Sequence, residues 1–325
     1  MRFGIIGTGR IARRFVPECQ SVAGIYITAV YNPHEGSAAR FTEEAWGGQT
    51  ENKPCALEDI SRLWDMTDAV YIASPHETHF KYIMTALGQG KHVLCEKPMV
   101  LSKAQAEEAG EYAADQGLIL MEGLKTAYCP GYRKVLDLAR DGVVGEIRCI
   151  EACFTKLEDP ESRELNDTAH GGSFTELGSY VMLPVIDLLG AEYGDISFDF
   201  ITNEKRVDIF TKADIRYRDA MAMLICGLGV KSEGRLLISG TKGYIKADAP
   251  WWKTRHIEVH FEDESKTLSY DEPFEGDGLR YEIGRFCELI KDYDKNKKTI
   301  SISGIRSVAM ADLMDRFLKQ RAVQS

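Results

Sequence analysis

Nowhere in the 325 residues is there an apolar run long enough to span a bilayer, so no membrane-embedded segment is expected. Paired C-x-x-C spacings are missing as well, although the chain holds eight cysteines: Cys19, Cys55, Cys95, Cys129, Cys149, Cys153, Cys226 and Cys287. Most of these sit inside apolar runs. That pattern predicts buried free thiols in a reducing cytosol, hence a cytoplasmic protein, and indicates neither a metal site nor a disulfide framework. Excess positive charge is lacking too. With 40 Lys and Arg against 50 Asp and Glu, the net charge of -10 argues against nucleic acid or an anionic membrane surface as partner. No charged leader with a long apolar stretch precedes the strand-like Arg2-Phe3-Gly4-Ile5-Ile6, so no signal peptide is expected. Internal repeats and low-complexity segments are also absent.

What is present is ordinary soluble material: 44% hydrophobic and 28% charged residues, in a length that suggests two domains. Immediately after the first strand comes Gly7-Thr8-Gly9-Arg10-Ile11-Ala12, opening a helix to about Cys19. This is the G-x-G-x-x-A form of the dinucleotide fingerprint. Gly7 permits the tight turn, Gly9 lets a pyrophosphate approach the backbone, and small Ala12 permits close helix packing. Free amides at the helix start then bind the phosphates. A second strand, Ile25 to Tyr31, should end at the adenosine ribose, where an acidic residue would indicate NAD. Here Asn32 stands instead, followed by Pro33 and His34, with Arg40 a little later. Asn32 can hydrogen-bond a hydroxyl but does not repel a phosphate, so the expected cofactor is NAD(P), leaning to NADP.

Next are expected a helix from Ala38 to Trp46, an irregular segment to Pro54, and a helix from Leu57 to Trp64. The buried strand Ala69 to Ala73 then runs into Ser74-Pro75-His76-Glu77-Thr78-His79 and a helix to Leu87. In Gly90-Lys91-His92-Val93-Leu94-Cys95-Glu96-Lys97-Pro98, a turn leads into an apolar strand that ends in a charged pair stopped by proline. Parallel strands buried on both faces meet solvent at their carboxyl ends, where ligands bind in doubly wound sheets. Ser74, Pro75, His76, Glu96 and Lys97 should therefore share one edge, although an ordinary strand end with a solvated ion pair would read alike. His79, in the first helical turn, is read as a structural hydrogen-bonding group. A helix N-capped by Ser102 and a strand from Leu118 to Met121 complete this domain.

These segments resemble the family of glucose-fructose oxidoreductase, inositol 2-dehydrogenase and the MocA-type dehydrogenases (Gfo/Idh/MocA). The likeness rests on Gly7 to Ala12, on S-P-x-x-x-H at Ser74 to His79, and on G-K-H-V-L-C-E-K-P at Gly90 to Pro98. It implies an N-terminal Rossmann domain over 1–122, with Lys97 beside the nicotinamide and the reacting carbon. An α+β domain over 123–325 would follow, for substrate binding and oligomerisation.

In that second half, a helix from Pro130 to Asp141, a strand from Glu146 to Thr155 and a polar loop, Lys156 to His170, precede strand-like segments from Ile196 to Phe261. Their turn signals indicate a largely antiparallel sheet. Two closing helices are expected, Gly278 to Asp292 and Ile305 to Gln320. Between loop and sheet lies Gly171-Gly172-Ser173-Phe174-Thr175-Glu176-Leu177-Gly178-Ser179-Tyr180. Glu176 and Tyr180, four apart, share a helix face. Pro184 should bend the helix at Tyr180. By spacing alone this is equally an amphipathic helix with a surface glutamate. Similarity to the family's G-G-G-x-x-x-D-x-G-x-[HY] segment implies a substrate pocket, with Glu176 in place of aspartate and Tyr180 as in the dihydrodiol and xylose dehydrogenase branch. Lys125 stands where that branch tends to place tryptophan and is assigned to the substrate side.

The implied reaction is reversible oxidation of a sugar, polyol or diol hydroxyl, with Tyr180 carrying the proton. A free tyrosine has a pKa of about 10, too high for a neutral base. A lysine ammonium roughly 4 Å away would contribute about 4 kcal/mol at an effective dielectric of about 20, enough to close the gap. Lys97, Tyr180 and Glu176 are thus the expected catalytic set. A homodimer or homotetramer is implied. The competing reading is a nucleotide-binding regulator without catalysis on the same fold.

Overall fold

In a computed structural model of the chain, residues 1–47 and 52–324 are described. The chain separates into two compact units. The first is Met1–Lys125 with Gly276–Val308, and the second is Thr126–Glu275 with Ala309–Ser325. The break expected after residue 122 therefore differs by three residues, and segment 276–308 returns to the first unit. Its helix is drawn back by its apolar stripe: Leu279, Ile283, Phe286 and Leu289 are buried, and Phe286 packs edge-on against Phe3 at 5.7 Å. Glu18 secures the same return by accepting from the amides of Asp277 and Arg280 and from the Arg280 guanidinium.

The first unit is a doubly wound parallel sheet. In chain order its elements are β1 (Arg2–Ile6), α1 (Arg10–Gln20), β2 (Tyr26–Tyr31), α2 (Ser37–Trp46), β3 (Cys55–Leu57), α3 (Leu63–Met66), β4 (Ala69–Ile72), α4 (His76–Gly88), β5 (His92–Glu96), α5 (Lys103–Asp115) and β6 (Leu120–Gly123). The strand order β3-β2-β1-β4-β5-β6 puts the reversal of winding between β1 and β4. Crevices at such reversals take ligands. Every residue of β4 is buried, as its unbroken apolar run requires.

Two expectations here are corrected. Residues 55–57 form a strand paired to β2, and the helix expected from Leu57 shrinks to α3 behind a 3-10 turn whose Ser61 amide is capped by Asp59. Pairing across the sheet, invisible locally, decides a strand this short. β6 starts two residues later than expected, because the Leu118 amide still bonds Ala113 at the end of α5 and the Ile119 amide donates to His92 Nδ1. The irregular segment before Pro54 falls partly outside the described residues.

The second unit contains α6 (Pro130–Arg140), β7 (Ile147–Thr155), α7 (Arg163–Asn166), α8 (Ser173–Leu189), β8 (Ile196–Thr202), β9 (Asp208–Arg216), β10 (Met221–Gly227), β11 (Leu236–Gly240), β12 (Gly243–Ala247), β13 (His256–Phe261) and β14 (Leu268–Asp271). Its eight-stranded sheet runs β14-β13-β12-β11-β7-β10-β9-β8, antiparallel except for the β7–β10 pair. α8 packs on β7, β9 and β10, and Pro184 lies inside it. The chain closes with α9 (Leu279–Lys291) and α10 (Tyr293–Gln324), and the boundary between units falls within α10. α10 begins twelve residues before the expected Ile305, over a polar stretch that shows no apolar period.

Candidate active site

In the first unit the nucleotide fingerprint has the geometry its residues require. Gly7 has φ +103, and a Cβ there would lie 2.5 Å from the carbonyl oxygen of Ala73, so close contact with the end of β4 demands glycine. Gly9 differs: it is the N-cap of α1, and nothing lies within 4 Å of where its Cβ would be. No side chain caps α1, leaving its first amides to an anion, and Ala12 is fully buried beneath them. Thr8 and Ile11 are half-buried, and Arg10 is exposed. These features fit a dinucleotide: a turn held against β4 and an open helix start at the winding reversal.

Asn32 is committed within the chain. Its side-chain amide donates to Thr8 Oγ1 at 2.8 Å, and its oxygen accepts from the amide of His34 at 2.9 Å. It thereby ties the glycine turn to the end of β2.

At the carboxyl edges of β4 and β5, His79 joins two loops. It is wholly buried, with Nδ1 2.9 Å from the carbonyl oxygen of Pro98 and Nε2 2.9 Å from that of Ser74. Burial, the largest influence, pushes its pKa down against the pull of those carbonyls. Ser74 Oγ lies 2.6 Å from the Thr78 hydroxyl, and Pro75 is the N-cap of α4. The His76 ring stands edge-on to His79 at 5.6 Å. Lys97 is half-buried at the end of β5.

Two residues expected at the ligand sites have partners within the chain. Glu96 is buried and accepts from the hydroxyl of Tyr71, whose ring stacks on Phe15 at 3.7 Å. Burial pushes the Glu96 pKa up, opposed by Tyr71 and by Lys97 and Lys125. Lys125 is likewise buried and donates to the carbonyl of Asp277. Its ammonium also stabilises the charged forms of Glu96 and Glu282 in the first unit.

In the second unit, α8 is buried almost all round. Between Ser173 and Ile186 only Glu176 and Tyr180 escape burial. Their four-residue spacing thus marks the open face of an otherwise core helix. Glu176 Oε1 lies 3.6 Å from the Arg163 guanidinium, which stands at the same distance from Asp167. The Tyr180 ring meets Phe154 edge-on at 5.1 Å, and Phe154 stacks on Trp252 at 3.5 Å. Arg163, Phe154 and Trp252 escaped the sequence reading. The Trp251-Trp252 pair between two strands was a signal for Trp252.

Residues 1–124 match the family described as "Oxidoreductase family, NAD-binding Rossmann fold", and residues 132–246 match the C-terminal domain of the same Gfo/Idh/MocA group. Among curated relatives, a dTDP-3,4-didehydro-2,6-dideoxy-alpha-D-glucose 3-reductase of Actinomadura kijaniata is 36% identical over 59% of this chain and 57% of its own length. A scyllo-inositol 2-dehydrogenase (NADP(+)) of Bacillus subtilis is 26% identical over 99% of this chain and 98% of its own. Among solved structures, a 3-ketoreductase from Actinomadura kijaniata in complex with NADP and TDP-benzene superposes with a TM-score of 0.81 at 26% identity, covering 97% of this chain and 96% of that one. Among the described residues there is no helix long and apolar enough to cross a membrane.

Proposed function

The chain belongs to the Gfo/Idh/MocA oxidoreductase family, and from that premise we propose that it interconverts a hydroxyl and a carbonyl on a sugar, polyol or diol, using NAD(P). The observation that carries this reading is the pair Glu176 and Tyr180, the two positions between Ser173 and Ile186 that escape burial. A bound nicotinamide supplies or accepts the hydride. Gly7, Gly9 and the first amides of α1 hold the dinucleotide phosphates. Lys97, in the turn between β5 and α5, supplies positive charge to the reacting oxygen. Tyr180 carries the proton, its ring fixed edge-on by Phe154. Glu176, paired with Arg163, orients a second substrate hydroxyl. Trp252 and Phe154 offer the flat apolar wall against which a sugar or diol ring stacks.

NADP is the favoured cofactor. Asn32 carries no charge to repel a 2′-phosphate, and exposed Arg40 and half-buried Ser37 follow it in the loop and helix beyond β2. The NADP named for two of the relatives points the same way.

Self-association is proposed through the sheet face opposite α8. Met221, Met223, Ile225 and Leu237 form its apolar centre, with Met221 53% exposed, flanked by the ion pairs Glu151–Arg235 and Lys246–Glu258. An apolar centre within a polar rim is the pattern of a protein interface. The free cysteines support a reducing, cytoplasmic setting.

A panel of aldoses, polyols and diols, each assayed with NAD and NADP in both directions, tests the activity. Turnover of at least one class that Tyr180→Phe lowers about a hundredfold or more is expected. Absence of turnover throughout, with nicotinamide binding intact, would favour a regulator.

A further inference from the structure

The interior of the second unit holds an ion pair to which the proposed chemistry assigns no part. Arg321 of α10 and Asp208 at the start of β9 are 2.9 Å apart, with side chains 6% and 0% exposed. Their hydrogen bonds converge on one short segment. Arg321 Nη1 also donates to the carbonyl of Gly171 at 2.7 Å, and Nη2 donates to those of Thr168 at 3.3 Å and Ala169 at 3.0 Å. Asp208 Oδ2 accepts from the amide of Phe174 at 2.9 Å and from the hydroxyl of Thr211 at 2.8 Å. Ser173 Oγ donates to the Asp208 carbonyl at 3.1 Å and accepts from the Leu228 amide at 3.0 Å. The residues gripped, 168–174, are the turn that opens α8.

The glycine pair in that turn now has a physical reason. Gly172 has φ +110, and a Cβ there would lie 1.9 Å from Asp208 Oδ1. One on Gly171 would lie 2.7 Å from the carbonyls of both Glu164 and Asp167. Only bare backbone can lie this close to the enclosed carboxylate.

A buried ion pair is a poor device for stability, because desolvation offsets its attraction and well-packed apolar residues often serve as well. What it provides here is direction: a fixed fork of donors and a carboxylate that together admit one placement of the turn. Glu176 follows two residues after the Phe174 amide, and Tyr180 one further helical turn on. We propose that Asp208 and Arg321 are positioning residues that set the angular placement of the first turn of α8, and with it Glu176 and Tyr180, without touching substrate. The proposal rests on the reading of those two as the substrate-facing pair. A misplacement of about 1 Å at a reacting group can cost roughly a hundredfold in rate, so such a clamp has a measurable consequence.

The experiment compares the full-length parent with Arg321→Met, Arg321→Lys and Asp208→Asn. It measures hydrogen exchange of peptides covering 168–180, β7 and β10, NADPH affinity by fluorescence, and kcat and KM for scyllo-inositol and trans-1,2-dihydrobenzene-1,2-diol with NADP. Arg321→Met and Asp208→Asn are expected to speed exchange in 168–177 at least tenfold and to lower kcat at least tenfold. Exchange in β7 and β10 and NADPH affinity should stay at parental values, and Arg321→Lys should recover part of both losses. Thr211→Val removes one bond to Asp208 while keeping the side-chain shape, and reads the same segment should a charged variant fail to fold. Unchanged exchange in 168–177, or a rise spread equally through β7 and β10, overturns the proposal. If the parent turns over neither substrate, the hydride-transfer reading suffers, while the exchange result still decides the clamp.

Discussion

Glu122 on β6 accepts a hydrogen bond from the amide of Met99 at 3.0 Å, which fixes the backbone two residues beyond Lys97. Its second oxygen accepts from Ser307 Oγ at 2.9 Å, so the acid is enclosed yet satisfied, with its pKa raised by burial. Glu122→Leu strands the Met99 amide and should cost about 1–3 kcal/mol. A fall in Tm of roughly 2–4 °C per kcal/mol is the readout, together with weaker NADPH binding. Glu122→Gln keeps an acceptor toward Met99 and should stay close to the parent. Equal losses in both variants would mean that charge, rather than the bond to Met99, matters.

The two fingerprint glycines should respond differently to substitution. Gly9→Val places its side chain in open space, so Tm should hold while NADPH affinity falls tenfold or more, about 1.4 kcal/mol. Gly7→Ala meets the Ala73 carbonyl and a positive φ, so folding itself should lose about 1–3 kcal/mol. Fluorescence titration that finds Gly9→Val binding at parental strength would remove the nucleotide assignment.

Lys97 and Tyr180 are predicted to act as one catalytic unit. Tyr180→Phe preserves the ring packing on Phe154 and should lower turnover about a hundredfold or more with cofactor affinity retained. Lys97→Met should lose turnover comparably, and the double variant should be little worse than the worse single one. If Tyr180→Phe keeps its rate at neutral pH, the tyrosine is a packing residue, and His76 or a water held by Glu176 becomes the better base.

Self-association is checked by sedimentation at micromolar concentration, where a dimer or tetramer is expected. Met223 lies in register with Glu151 on β7 and Asp214 on β9, near the middle of the open face. Met223→Glu adds a charge to that centre and should shift the population toward monomer by tenfold or more, about 1.4 kcal/mol. A parent already monomeric at that concentration contradicts the interface.

Glu282 on α9 makes a pH prediction. It is fully buried, neither carboxyl oxygen has a hydrogen-bond partner among the described residues, and its pKa is pushed well above the ordinary value by burial first and then by Glu96. A carboxyl with a raised folded pKa binds its proton more tightly when folded. Its contribution therefore favours the folded state below the unfolded pKa, near 4.5, and is lost as pH rises toward the folded value. Thermal unfolding of the parent from pH 5 to 9 should show this loss, and Glu282→Gln should remove that part of the pH dependence. A slope identical in both proteins would show that Glu282 does not titrate in this range.

Much of the first unit could be read from the chain because its signals are local. Four consecutive apolar residues make β4, glycines two apart end β1, and Ser74 to His79 starts α4 against the same edge. Glu176 and Tyr180 were also legible, since a four-residue spacing places them together on any helix. What only the tertiary structure decided joins residues far apart in sequence. Arg163 meets Glu176 across a turn, Arg321 reaches Asp208 over 113 residues, and Glu18 draws the start of α9 back from beyond residue 275. Glu96 and Lys125 show the same division: the hydroxyl of Tyr71 and the carbonyl of Asp277 that they meet lie 25 and 152 residues away in sequence. Helical and strand periods are written in neighbouring residues, whereas the direction a buried charge takes depends on the partner that satisfies it, and that partner is chosen by packing.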